Sequence, residues 1–250
     1  MIIIKSDKEI ELMRTSGKVT GFILKELENI IKPGLSTAEI DQFVEDTIRK
    51  NGMIPAFKGY GGFPASACVS INDEVVHGIP DKKRILKEGD IISVDVGSTY
   101  KGYVSDAART YPVGQVSEMA EKLINATRDS FFAGLEFCKV GYRLSDISNA
   151  IQVSAEGEGF SVIRDFVGHG VGQNMHEDPQ IPNFGKPGRG PRLAKGMVFA
   201  IEPMICEGTY DVEVLSNDWT VVTVDGKLSA HYENTVVITD GEPELLTLEV

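Results

Sequence analysis

Val94-Asp95-Val96-Gly97, taken with Asp106 eleven residues later, decides how this chain is organised. The run Gly89-Asp90-Ile91-Ile92-Ser93-Val94 is β-branched and apolar, which predicts a buried strand carrying Asp95 at its end. Ser98 to Gly102 predict a turn, and Tyr103-Val104-Ser105-Asp106 runs back. The midpoint between the two aspartates falls in that turn, so a hairpin sets them close to opposite, where facing Cβ atoms lie about 5 Å apart. Two carboxylates so placed repel and lose hydration. Either one is protonated or a cation sits between them; taken alone, the pair also fits one aspartate on a solvated face.

Working outward, the chain has 250 residues, 42% hydrophobic and 25% charged, as in an ordinary soluble globular protein. A formal charge of −12 argues against a broad grip on nucleic acid or anionic membrane. The start, Met1-Ile2-Ile3-Ile4-Lys5, is too short an apolar run for a signal peptide, and no stretch approaches the ~18 apolar residues of a membrane span. Cys68, Cys138 and Cys206 are scattered and odd in number. They predict no disulfide framework and a cytoplasmic location.

Ser6-Asp7-Lys8-Glu9 and Ser36-Thr37-Ala38-Glu39 are capping boxes, each opening a helix; Pro33-Gly34 ends the first and Asn51-Gly52 the second. After the hairpin the plan recurs, with helices over residues 117–138 and from about Ser145 to the glycines at 157 and 159. Shifted by 107 positions, Leu86-Lys87-Glu88-Gly89 and the strand to Asp95 lie on Leu193-Ala194-Lys195-Gly196 and the strand to Glu202. We infer a duplicated unit, with halves about 1–110 and 111–250 of a single domain, each presenting carboxylates to one centre.

The other candidate ligands follow. Gly168-His169-Gly170-Val171-Gly172-Gln173-Asn174-Met175-His176 alternates glycine with period two, predicting a bare side along which a ligand approaches the backbone. Glu202 ends the apolar run Met197–Ile201, and Glu233 lies in the strand-like His231–Ile238. Asp95, Asp106, His169, Glu202 and Glu233 would bring four negative charges together, which two divalent cations balance. An oxygen-rich set with one nitrogen suits Mn, Fe or Co and admits Zn. Metals ~3.5–4 Å apart can share a water and lower its pKa, so the chemistry implied is metal-assisted hydrolysis.

In this order and spacing, those five residues with His77 and His176 resemble the type I methionine aminopeptidases, M24 metallopeptidase-like enzymes of the pita-bread fold. Supporting stretches are Ser70–Pro80, Gly168–Gly172 and Ala200-Ile201-Glu202-Pro203, and the likeness covers essentially the whole chain. It implies an α+β fold of two pseudo-symmetric halves, with an antiparallel curved sheet and helices on its outer face. Asp95 would chelate one metal, Asp106 and Glu233 would bridge both, and His169 and Glu202 would bind the other. A metal-bridging hydroxide would attack the first peptide carbonyl of a nascent polypeptide's N-terminus, where a small second residue is preferred. Glu202 would relay the proton, His176 would stabilise the oxyanion, and His77 would contact the scissile amide.

By the same resemblance Phe57, Tyr60, Phe63, Cys68 and Trp219 form the methionine pocket, with Met175 at its rim. The 31 positions from Glu202 to Glu233 leave no room for the type II insertion, so the likeness is to the compact bacterial form. A monomer is expected, and ribosome docking fits the function although no residue points to it. Two rivals remain: a proline-directed aminopeptidase or prolidase of the same fold, and a non-catalytic peptide-binding module.

Overall fold

The hairpin forms, but Asp95 is paired two positions away from the partner the sequence reading gives it. The structure, a computed structural model, describes residues 1–248. Strand β4 (Ile91–Tyr100) pairs with β5 (Tyr103–Pro112) along its whole length, after β1 (Ile54–Pro55), β2 (Ala67–Ile71) and β3 (Glu74–Val76). The turn is only Lys101-Gly102, both left-handed at φ 48° and 84°, the two-residue geometry whose twist matches the strands it joins. That tight turn puts Tyr100 opposite Tyr103, and so Gly97 opposite Asp106 and Asp95 opposite Ala108. The aspartates are therefore diagonal neighbours on one face rather than directly opposed. Nor does the strand end at Asp95: pairing continues to Tyr100, because nothing before Lys101-Gly102 breaks the ladder.

Alternation along β4 sorts its two faces. Ile92, Val94 and Val96 are fully buried against a core built from helix α1 (Asp7–Ile30) and helix α2 (Thr37–Lys50). Each such side chain contributes roughly 1.5–3 kcal/mol by leaving water. The odd positions, including Asp95 and Gly97, turn to the other side. Both capping boxes are made: the Glu9 carboxylate accepts from Ser6 N–H at 2.8 Å, and Glu39 from Ser36 N–H at 2.8 Å. Thr20 of α1 binds the hydroxyls of Ser98 and Ser105, each at 2.9 Å, pinning that helix to the hairpin where no apolar contact would fix its register.

The second half repeats the order. Helices α3 (Glu118–Leu135) and α4 (Leu144–Gly157) precede β6 (Ser161–Val162), β7 (Gly168–Gly170), β8 (Glu177–Ile181) and β9 (Val198–Ile201). At the shift of 107, α2 and α4 start together, Thr37 on Leu144, and so do β4 and β9, Ile91 on Val198. The copies then diverge, since β9 stops before Pro203 whereas β4 runs on. Then come β10 (Met204–Cys206), β11 (Val212–Val214), β12 (Val221–Thr223), β13 (Ser229–His231), β14 (Asn234–Val237) and β15 (Glu244–Leu245).

Among the described residues the strands make four ladders, β1-β4-β2 with β5 on β4, β13-β10-β6, β11-β12-β3 and β15-β14-β9-β7-β8, and the pairings within them are antiparallel. The halves join where β5 meets the start of β14. Glu233 N–H donates to Ala108 O at 2.9 Å, and Ala108 N–H to Glu233 O at 3.3 Å. On either side a threonine hydroxyl continues the seam. Thr235 Oγ1 accepts from Asp106 N–H at 2.9 Å and donates to Asp106 O at 2.8 Å; Thr110 Oγ1 does the same for His231, both at 2.8 Å.

Candidate metal centre

The seam and the two β-faces bring the acidic residues together. Asp106 is buried on the side of the hairpin that Asp95 also occupies. In the other half Asn234 pairs with Ile201, and one step beyond that ladder Glu233 stands level with Glu202. Glu233 itself falls in the break between β13 and β14 rather than inside a strand. His169, in the middle of β7, reaches the same point: its Nε2 is 3.6 Å from Asp106 Oδ2 and 3.5 Å from Glu202 Oε1. Its Nδ1 lies 2.9 Å from Gly170 O and donates, since a carbonyl only accepts. That contact fixes the tautomer and leaves the Nε2 lone pair facing the carboxylates.

Two sets of potential ligands result, Asp106–His169–Glu233 and Asp95–His231–Glu233, the atoms of each lying within 4.8 Å of one another. His231 is the residue the sequence reading left out. It sits two positions before Glu233 on an extended segment, so both side chains share a face; that period of two was the available signal. Its Nε2 is 3.8 Å from Glu202 Oε2 and 3.7 Å from Glu233 Oε2.

The electrostatics call for cations. Burial, reinforced by mutual repulsion, pushes Asp95, Glu202 and Glu233 well above the usual carboxylate range, and burial raises Asp106 too. Asp95 Oδ1, Asp106 Oδ1, Glu233 Oε1 and His231 Nε2 are buried with no hydrogen-bond partner among the described residues. Unpaired buried charge is costly enough that such groups neutralise, pair or coordinate metals. The imidazoles go the other way: burial holds His169 below its ordinary value and His231 down at about 3, so both are neutral and free to ligate. Orphaned oxygens beside neutral imidazoles fit divalent ions.

Above the acids lies a cavity of about 180 Å³, scaled to one side chain and its peptide group. All the expected pocket residues line it: Phe57, Tyr60, Phe63, Cys68, Met175 and Trp219, with His77 and His176. Phe166 and Met204, which the sequence reading did not single out, line it as well. Phe63 meets Trp219 edge to face at 5.1 Å, and Tyr60, exposed at the rim, stacks on His176 at 5.4 Å. Tyr60 Oη and His176 Nδ1 are 2.8 Å apart, and the His176 ring lies 4.2 Å from that of His169. His77 is a non-glycine residue at φ 60°, a strained conformation, with its carbonyl held by Thr220 Oγ1 at 3.3 Å. Burial, aided by His176, holds His77 at about 4; burial, aided by His169, does the same for His176.

One expectation is corrected. The glycines at 168, 170 and 172 do not leave backbone bare for a ligand. A Cβ at Gly168 would strike Ala200 O, at Gly170 Asp178 O, and at Gly172 the side chains of Lys5 and Glu177. The space is filled by neighbouring strands and by a buried ion pair, so the pattern serves close packing around His169.

Comparison with known proteins gives a consistent picture. The family model for metallopeptidase family M24 matches residues 11–240. The methionine aminopeptidase of Clostridium acetobutylicum is 60% identical over 248 residues, 99% of each chain, and methionine aminopeptidase 1 of Bacillus subtilis is 53% identical over 99% of each. The crystal structure of methionine aminopeptidase from Thermotoga maritima superposes with a TM-score of 0.98 at 49% identity, covering 100% of both chains. The prolidase of Pyrococcus horikoshii shares the fold at a TM-score of 0.79 with 23% identity, and this chain covers 65% of it.

Proposed function

This chain belongs to metallopeptidase family M24 and, within it, to the type I methionine aminopeptidases of the pita-bread fold; from that premise we propose that it is a metal-dependent aminopeptidase removing the N-terminal methionine from nascent proteins whose second residue is small. The observation that carries this reading is the convergence of Asp95, Asp106, His169, Glu202 and Glu233 on one cavity whose other walls are largely apolar. Residues 1–250 act as one catalytic unit with halves about 1–110 and 111–250. Asp95, Asp106, His169, Glu202 and Glu233 hold two divalent ions, of which Mn, Fe, Co and Zn all suit the donors. Such ions, when bound, supply Lewis acidity that brings the pKa of a water near neutrality.

The protein's own groups do the rest. Phe57, Tyr60, Phe63, Cys68 and Trp219 take the methionine side chain, whose thioether favours aromatic edges and soft neighbours. The tight pocket floor orients the first peptide bond over the acids. Tyr60, donating to His176 Nδ1, leaves the proton on His176 Nε2, and that N–H is directed at the oxygen of the scissile carbonyl, where negative charge develops. His77 contacts the leaving nitrogen. Glu202 takes a proton from the attacking water on its carboxylate and returns it to that nitrogen.

The prolidase reading is not favoured, because that likeness extends to the fold alone. The partner is a polypeptide N-terminus in the cytoplasm, met by a monomer; among the described residues no helix is long and apolar enough to cross a membrane. The test is turnover of Met-Ala-Ser against Xaa-Pro peptides after metal stripping and reloading with Mn, Fe, Co or Zn. Methionine release with at least one of them supports the reading. A chain that cleaves neither peptide and takes up no ion is a binding module, and Xaa-Pro preference makes it a prolidase.

A further inference from the structure

His231 has no part in the mechanism above, yet it is buried behind two of the acids that line the cavity, Glu202 and Glu233. It is 2% exposed, and its main chain is held on both sides, by pairing with Met204 and by the two bonds to Thr110 Oγ1. The ring therefore has one outlook, and its Nε2 has no hydrogen-bond partner among the described residues. At 3.8 Å from Glu202 Oε2 and 3.7 Å from Glu233 Oε2 it is too far for a direct hydrogen bond, which needs about 3.2 Å or less. Two donors each ~2.1 Å from one ion, at angles of about 90–120°, stand roughly 3.0–3.6 Å apart, so 3.7 and 3.8 Å are separations that a bound ion closes by a few tenths of an ångström. His169 shows the same spacing toward its carboxylates, 3.6 and 3.5 Å. Each imidazole thus stands at a similar distance from two carboxylates, and both approach Glu202.

We propose that His231 Nε2 is a metal ligand, completing with Asp95 and Glu233 a second nitrogen-bearing set, so that each of the two ions carries one imidazole. This rests on the reading of the centre as a two-ion site. It has a consequence for metal choice. A position ligated by oxygen alone suits Mg or Mn, whereas an imidazole there favours Fe, Co or Zn. The two positions should accordingly differ little in affinity.

The test uses the full chain, stripped of metal, titrated with Mn(II) or Co(II), and carrying 15N-labelled histidine. Pulsed electron paramagnetic resonance at two equivalents of Mn(II) counts directly bound nitrogens. Two coordinated histidine nitrogens per chain are expected in the wild type, and one in His231→Ala. Calorimetry should show one of the two ions weakened in His231→Ala by at least the ~10–100-fold that losing even an outer-shell partner costs. A wild type that takes up two ions but shows a single bound nitrogen overturns this inference while leaving the two-ion reading intact. Uptake of no ion overturns both. Because the nitrogen count is made on the wild type, a variant that fails to fold does not remove the test.

Discussion

Ala108 and Glu233 exchange both of their main-chain hydrogen bonds, at 2.9 and 3.3 Å, across the boundary between the two halves. One residue is the neighbour opposite Asp95 on the hairpin; the other is itself a candidate ligand. The same register runs on through Thr235 with Asp106 and Thr110 with His231. The backbone that ties the halves together is thereby the backbone that aims the acids, and the centre cannot loosen without the seam opening.

Glu202→Gln should leave the fold intact and abolish turnover. The amide keeps one ligand oxygen but cannot accept and return a proton, and general acid–base groups contribute ~10²–10⁴-fold. The measurement is kcat on Met-Ala-Ser with metal content determined in parallel. A near-normal rate would contradict the role given to Glu202.

Chelation should lower the melting temperature, and more so as pH rises. Without ions, the folded-state pKa values of Asp95, Glu202 and Glu233 stand above their unfolded values, driven first by burial. An acid raised in this way contributes its full stability below its unfolded pKa and loses it as pH rises. Bound cations remove that loss and add ~2.7 kcal/mol when free ion is at 100 times its dissociation constant. Scanning fluorimetry between pH 5 and 8, with and without chelator, reads the gap. No gap at any pH would argue that the acids do not converge.

Lys5 and Glu177 form an ion pair at 2.5 Å with both side chains only 3% exposed, and Glu177, next in the chain after His176, also accepts from Asn174 N–H at 3.2 Å. Lys5→Met or Glu177→Gln strands one buried charge and should cost about 3–5 kcal/mol in urea unfolding. Replacing both by apolar residues should recover most of that loss. Equal damage from the single and double changes would show that the pair is not the source.

Trp219→Ala should raise KM for methionyl peptides and relax preference for methionine over leucine at the first position. The Phe63–Trp219 edge contact forms one wall of the pocket, and a sulfur–aromatic contact is worth ~0.3–1.5 kcal/mol, so kcat/KM should fall about 2- to 10-fold. Unchanged selectivity would remove Trp219 from the methionine pocket.

Local chemistry is legible in the sequence. Ser6 with Glu9 and Ser36 with Glu39 name the helix starts because capping is satisfied within four residues. The alternation through Ile92, Val94 and Val96 marks a buried strand, and an acid at the same place in each copy of the repeat singled out Asp95 and Glu202. The hairpin register was missed by two positions because turn length depends on which residues accept positive φ, here Lys101 with Gly102.

What the chain's sequence determined on its own was therefore the helices, the hairpin strands and the five residues Asp95, Asp106, His169, Glu202 and Glu233, since caps, periodicity and strand patterning act over a few residues. Tertiary structure alone decided that His231 meets Glu202, that Lys5 pairs with Glu177 beside His176, and that the glycines around His169 make room for neighbouring strands. Those outcomes depend on long-range packing and on the Ala108–Glu233 seam, where groups distant along the chain exclude water from one another and no local pattern records the meeting.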